Sequence, residues 1–209
     1  EFLGGTVVPS VIATACALTI VYTVAFYLVS MLTKDQYKRR KVSYQITNLL
    51  TNLLLGLAGL YYEVVSSTFS PTLQETIQGH EHLVYFSTTQ IGYQLWAIPM
   101  GIFYVNEQLP MILHHGTVVV VTCMSALLTN GFRYWTPFFY GLVEISSVPL
   151  AILNAFKDNP ELIKSYPDIY MALRWTCAVT FLYVRLVLFV PRHLRYISDH
   201  FLLYWTSSN

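Results

Sequence analysis

An all-α membrane protein, a bundle of about six transmembrane helices, is the fold class this sequence predicts, and three observations carry it. Only 11% of the 209 residues are charged and 55% are hydrophobic, whereas soluble domains carry about 25% charged residues. Apolar stretches as long as a bilayer core demands, roughly 20 residues, recur along the whole chain. The segments between them are short and polar, and none reads as a soluble domain, a repeat or a low-complexity linker. An aromatic content of 15% fits interfacial belts and tightly packed helices. The net charge of +1, without a basic groove-tracking pattern, argues against nucleic acid as a partner. Cys16, Cys123 and Cys177 all fall in apolar runs, where a thiol behaves as a small hydrophobe, so no disulfide framework is expected. The chain begins at Glu1, so its natural N-terminus is expected upstream.

Val7 to Leu32 predicts the first span, too long for the apolar core of a cleaved signal sequence. Lys34, Lys38, Arg39, Arg40 and Lys41 follow as the densest basic cluster and read as a loop. Tyr44 to Val65 is the second span, and Gln45, Asn48 and Asn52 share one helical face that should look inward. Gly56 and Gly59 allow a close helix approach there. Ser66 to His82 reads as a solvated loop. Its Glu75, His80, Glu81 and His82 have metal-ligand chemistry, yet the loop is short and nothing else supplies ligands, so no metal and no cofactor is expected. Leu83 to Val105 is the third span, with Gln90 and Gln94 inside it and Pro99 expected to kink or break it. Pro110 suits the start of the fourth span, Met111 to Leu128. Trp135 to Phe156 is the fifth and Ile169 to Val190 the sixth, ended by Pro191-Arg192-His193. Tyr196 to Trp205 reads as an interfacial tail or the stub of a further helix.

Six spans put both termini on one side. The opposite side then collects Lys34, Lys38, Arg39, Arg40, Lys41, Lys157 and Lys164, against Arg133, Arg192 and Arg195 on the side of the termini. The positive-inside rule makes the richer side cytoplasmic.

Polar residues at membrane depth mark the functional candidates. An ionisable group there costs roughly 2.5–3.5 kcal/mol on insertion scales, so it faces a cavity or a partner. His114 and His115 lie in the fourth span, about 100° apart on a helix, so one is expected to line a cavity while the other packs. Both imidazoles could equally satisfy buried backbone or amide groups. Glu144, mid-span, requires an Arg, a His or a proton, and a pair with Arg185 or a histidine would neutralise it. No serine triad, phosphate-binding loop or HExxH site is present.

The motifs that carry a family resemblance are Arg39-Arg40-Lys41-Val42-Ser43, Met111-Ile112-Leu113-His114-His115, Asn130-Gly131, Leu142 through Pro149 and Phe181-Leu182-Tyr183-Val184-Arg185. In order and spacing they resemble the TLC-domain membrane proteins, which include the ceramide synthases and the TLC-domain-containing proteins of lipid homeostasis. The likeness covers about residues 39 to 193. It divides the chain into 1–38, an N-terminal transmembrane helix with the basic loop, and 39–209, a TLC-like helical bundle, and it implies a further helix past Asn209. The ceramide synthase motif joins a His-His pair to a later His-Asp with a second Asp three residues on. Here that region reads Phe139-Tyr140-Gly141-Leu142-Val143-Glu144, so the resemblance is to the non-synthase branch. Many of its members carry an aspartate where Gln94 stands.

The resemblance implies a multi-pass protein of an ER-like endomembrane that handles or senses an acyl lipid in a polar intramembrane cavity. If it transfers acyl groups, His114 or His115 is the base, Glu144 orients it, and Arg185 holds a headgroup or carboxylate with Gln94, Asn48 and Asn52 lining the lipid site. The alternative is a non-catalytic accessory subunit of a larger membrane assembly, with membrane proteins besides lipids as partners. An aromatic-rich outer surface would favour it. A transporter would need more ionisable residues along a path and an inverted repeat, and neither is visible.

Overall fold

The computed structural model describes residues 3–66, 81–124 and 133–207, and every regular element among them is helical. The expected solvated loop with Glu75 and His80 therefore lies largely outside the described residues, as do the end of the fourth span and Asn130-Gly131. Helix α1 (Val8–Ser30) follows a π turn at Leu3–Val7 and is apolar all round. It buries Leu18, Ala25 and Val29 and leaves its other sides to lipid. Helix α2 (Gln36–Ser66) begins where it does because Asp35 Oδ1 accepts from the backbone N–H of Tyr37 at 2.9 Å and of Lys38 at 3.2 Å, a side-chain N-cap. The cap winds Lys38, Arg39, Arg40 and Lys41 into the first turns of α2, so most of the basic cluster is helix where a loop was expected.

Helix α3 (Val84–Met100) runs through Pro99 into a π turn at Gly101–Val105. The wide turn two residues on absorbs the missing donor, so the proline does not break the helix. The helix ends at Asn106, whose φ of 53° is a left-handed conformation that Asn tolerates. Helix α4 (Leu109–Thr122) then starts with Pro110 in its first turn, as expected.

The expected fifth span is not one helix. It is a 3₁₀ turn at Arg133–Trp135, a short α5 (Thr136–Phe139), a turn at Tyr140–Gly141, a 3₁₀ segment at Leu142–Ser146, and α6 (Ser147–Lys157). Gly141 leaves the helical region (φ −119°, ψ −82°). Pro149 could not have donated to Ile145 in a continuous helix, but in the first turn of α6 its missing N–H loses no bond. Glu144 thus sits on the 3₁₀ segment inside a broken helix.

Helix α7 (Pro160–Ser165) leads into α8 (Pro167–Leu182), which continues through a π turn at Tyr183–Leu188 into α9 (Phe189–Ser207). The sixth span was expected to stop at Pro191, with Tyr196 to Trp205 separate. Instead one helix passes through both. Val187, the carbonyl Pro191 would clash with in an α-helix, lies in the π turn, where the bonding register is already shifted. Gly5–Ser30, Arg133–Lys157 and Pro167–Asp199 are long and apolar enough to cross a membrane, and Leu109–Thr122 is a shorter apolar helix. Helices α2 and α3 turn polar faces inward, which lowers their hydropathy.

Packing centres on α2. A Cβ on Gly56 would lie 2.5 Å from Ile145 Cγ1, and one on Gly59 would run into the backbone nitrogen of Leu142. A Cβ on Gly141 would lie 2.9 Å from the Gly59 Cα. The two glycines let backbone cross backbone where the fifth element breaks. Lys41–Asp158 (2.9 Å) ties α2 to the end of α6, and Glu63–Arg192 (2.7 Å) ties the far end of α2 to α9. Burial works to lower the Lys41 pKa, but its bonds with Asp158 and Tyr37 outweigh that and leave it raised. The lysine of the pair is therefore charged at any physiological pH.

Gly59→Ala should destabilise the bundle by about 1–3 kcal/mol, the usual cost of overpacking. Gly116→Ala, where a Cβ meets nothing within 4 Å, should leave the thermal unfolding midpoint in detergent unchanged or slightly raised.

Candidate functional site

A cavity of about 270 Å³ lies between α2, α3, α4, the broken fifth element and α8. His114, His115, Glu144, Arg185, Gln94, Asn48 and Asn52, every site residue expected from the sequence, line it together. Their placement follows from local sequence. Asn48 and Asn52 stand one turn apart on α2, with Tyr44 a turn before them, and all three are buried. Gln90 and Gln94 repeat that spacing on α3, and both are buried. His115 faces inward from α4 at 5% exposure, while His114 stands at the open rim. Both line the cavity, where only one was expected to.

The hydrogen bonds depart from expectation. His115 Nδ1 pairs with Gln94 Oε1, not with Glu144. An amide oxygen only accepts, so the imidazole carries its proton on Nδ1 and keeps a lone pair on Nε2. The Tyr93 ring meets the same imidazole edge-on, with centroids 6.3 Å apart.

Glu144 accepts from Gln90 Nε2 at 3.0 Å on one oxygen and from Ser147 Oγ at 2.8 Å on the other. Among the described residues it makes no ion pair, so the expected pairing with Arg185 or a histidine is absent. The helix break explains this, because the 3₁₀ segment turns the carboxylate toward α3, where neutral Gln90 stands. Arg185 donates from Nε to Ser146 Oγ at 3.2 Å and lies over the Phe181 ring, 5.1 Å from its centroid. It too has no carboxylate within ion-pair range among the described residues. Arg174, the other arginine of α8 and the turn after it, lies on the exposed side of α8 over Tyr170.

Sequence reasoning gave Gln90, Ser146 and Ser147 no role, though they hold the two charged groups. The four-residue step from Gln90 to Gln94 was the available signal. It also missed a second cavity of about 270 Å³, which shares Tyr44, Gln45, Glu107, Met111, Leu150 and Asn154 with the first. That chamber reaches Lys41, Lys157 and Asp158, so the polar interior extends to the basic end of the bundle. A third cavity of about 180 Å³ is walled mainly by aromatic rings, including Trp135, Phe139 and Tyr196. Among the described residues no group of three His, Cys, Asp or Glu side chains could hold a metal ion.

Comparison of the sequence with protein families decides the kin of this all-helical membrane bundle with a polar interior. The profile of the TLC domain matches residues 7–208. The chain belongs to the TLC-domain family. The match takes in α1 and α9 as well as the helices around the cavity. Membership makes this TLC-domain chain a membrane protein linked to lipid handling. No curated protein and no solved structure matches it.

Gln94→Leu strands the buried His115 Nδ1 proton, and a stranded buried group costs about 1–3 kcal/mol. The unfolding midpoint should fall accordingly. The double variant Gln94→Leu/His115→Leu should recover part of the loss, since replacing both partners by apolar groups can be nearly neutral.

Proposed function

We propose that this TLC-domain protein handles or senses an acyl lipid in an ER-like endomembrane, with the lipid's polar end in the first cavity and its chains among the helices. One observation carries the reading: an unpaired guanidinium, an unpaired carboxylate and an imidazole with a free Nε2 share a single cavity at membrane depth. Half-buried charges that meet only neutral partners are under-neutralised, and a ligand that supplies the opposite charge removes that cost. Arg185 holds an anionic oxygen of the lipid, as its Nη groups have no carboxylate to pair with among the described residues. His115 is the group suited to act as a base if the protein transfers acyl chains, with Gln94 as its orienting partner.

A second reading, an accessory subunit of a membrane assembly, is favoured by the outward face of α8 and α9. Trp175, Tyr183, Phe201 and Trp205 all stand exposed along that one continuous helix.

Mass spectrometry of bound lipid on gently purified protein separates the two. Wild type should carry a stoichiometric acyl lipid, and His115→Ala and Arg185→Ala should each lose most of it. A wild type that carries no lipid, yet keeps the same protein partners as both variants, would favour the accessory subunit.

A further inference from the structure

The cavity holds charges of both signs that do not neutralise each other. Arg185 is anchored on Ser146 and Glu144 on Ser147, adjacent residues, yet neither charge pairs with the other. Both Glu144 oxygens are held by neutral groups, Gln90 and Ser147, and neither meets a cation among the described residues. A ligand with one negative charge, such as a fatty acid or a phosphatidate, would satisfy Arg185 and leave Glu144 repelling it. A ligand with one positive charge would do the reverse. Only a ligand carrying both charges relieves both groups.

A second observation fixes the kind of cation. Among the described residues the Oδ1 atoms of Asn48 and Asn52 are buried on the same cavity wall and accept no hydrogen bond, the two residues being 9% and 5% exposed, while their side chains also bond to the hydroxyls of Tyr44 and Tyr93. Amide oxygens need N–H or O–H donors. A primary ammonium offers three N–H donors, enough for a carboxylate and neighbouring amide oxygens together. A quaternary ammonium offers none and would select a cage of aromatic faces instead.

We propose that this cavity selects the phosphoethanolamine headgroup of a zwitterionic phospholipid, with the phosphate on Arg185 and the primary ammonium on Glu144, Asn48 and Asn52. The proposal rests on the lipid-handling reading and narrows its ligand to one headgroup chemistry.

The test uses the full chain in nanodiscs doped equally with dioleoyl-phosphatidylethanolamine, dioleoyl-phosphatidylcholine and dioleoyl-phosphatidic acid, with retained lipid read by native mass spectrometry. Wild type should retain the ethanolamine lipid about tenfold over either of the others, a ratio worth about 1.4 kcal/mol. Glu144→Gln keeps the size and polarity of the side chain, and should bring ethanolamine and phosphatidic acid lipids to near equality. Arg185→Gln should lose all three. Equal retention by wild type, or an unchanged ratio in Glu144→Gln, overturns the headgroup assignment and leaves lipid handling standing. Wild type that retains no lipid overturns both. Displacement by an equal concentration of soluble glycerophosphoethanolamine would assign the headgroup chemistry to a water-soluble ligand and overturn its lipid source.

Discussion

A break in a membrane-spanning helix must be covered by protein, and that constraint organises this bundle. Backbone N–H and C=O groups at membrane depth have no water to bond, so irregular backbone survives there only against other protein or a wet cavity. The break at Tyr140–Gly141 meets the demand in two ways. Local bonds close the turns on each side, from Tyr140 N–H to the Thr136 carbonyl (2.8 Å) and from Glu144 N–H to the Gly141 carbonyl (2.9 Å). Helix α2 then seals the outside at Gly59, close enough that any side chain there would collide with the broken backbone. Thr136 secures the near end by donating to the carbonyl of Leu83 or Arg133, so the start of α3 is tied to the break as well.

The site is a consequence of that break. A continuous fifth helix would have aimed Glu144 by the ordinary 3.6-residue period. The 3₁₀ segment, at three residues per turn, re-aims it and brings Ser146 and Ser147 to the cavity together. The serines then take opposite partners: Ser146 accepts from Arg185 on the π turn after α8, and Ser147 donates to the Glu144 carboxylate. Arg185 is itself on a widened turn, so both charged groups project from irregular helix. Regular helices supply the neutral wall of Asn48, Asn52 and Gln94.

What the sequence made legible follows the same division. The polar face of α2 could be read from the spacing of Gln45, Asn48 and Asn52, and the close approach from Gly56 and Gly59, because α2 is a regular helix whose period is fixed. His115, Glu144 and Arg185 could be picked out because an ionisable residue in apolar sequence is conspicuous at any pitch. Their partners could not. Pairing Glu144 with Arg185 follows from charge alone, whereas the actual partner, Gln90, is neutral and fifty-four positions away. The continuity past Pro191 was hidden for a related reason, since a π turn has no residue signature and a proline reads as a stop unless the preceding turn is known to be wide.

The separation of Glu144 from Arg185 is best understood as a choice of neutral scaffolding over mutual neutralisation. A buried ion pair satisfies itself and leaves little for a ligand to gain. Here each charge is steadied by hydroxyl or amide groups that fix its position without cancelling it. On the proposed reading, that arrangement makes the cavity complementary to a molecule that brings both missing charges in the right order. Bulk apolar chains cannot supply that complement, and α1 and α8 already offer exposed apolar surfaces to them. On the lipid-handling reading proposed above, discrimination between one lipid and another falls to the headgroup, and within the headgroup to how its charges are spaced.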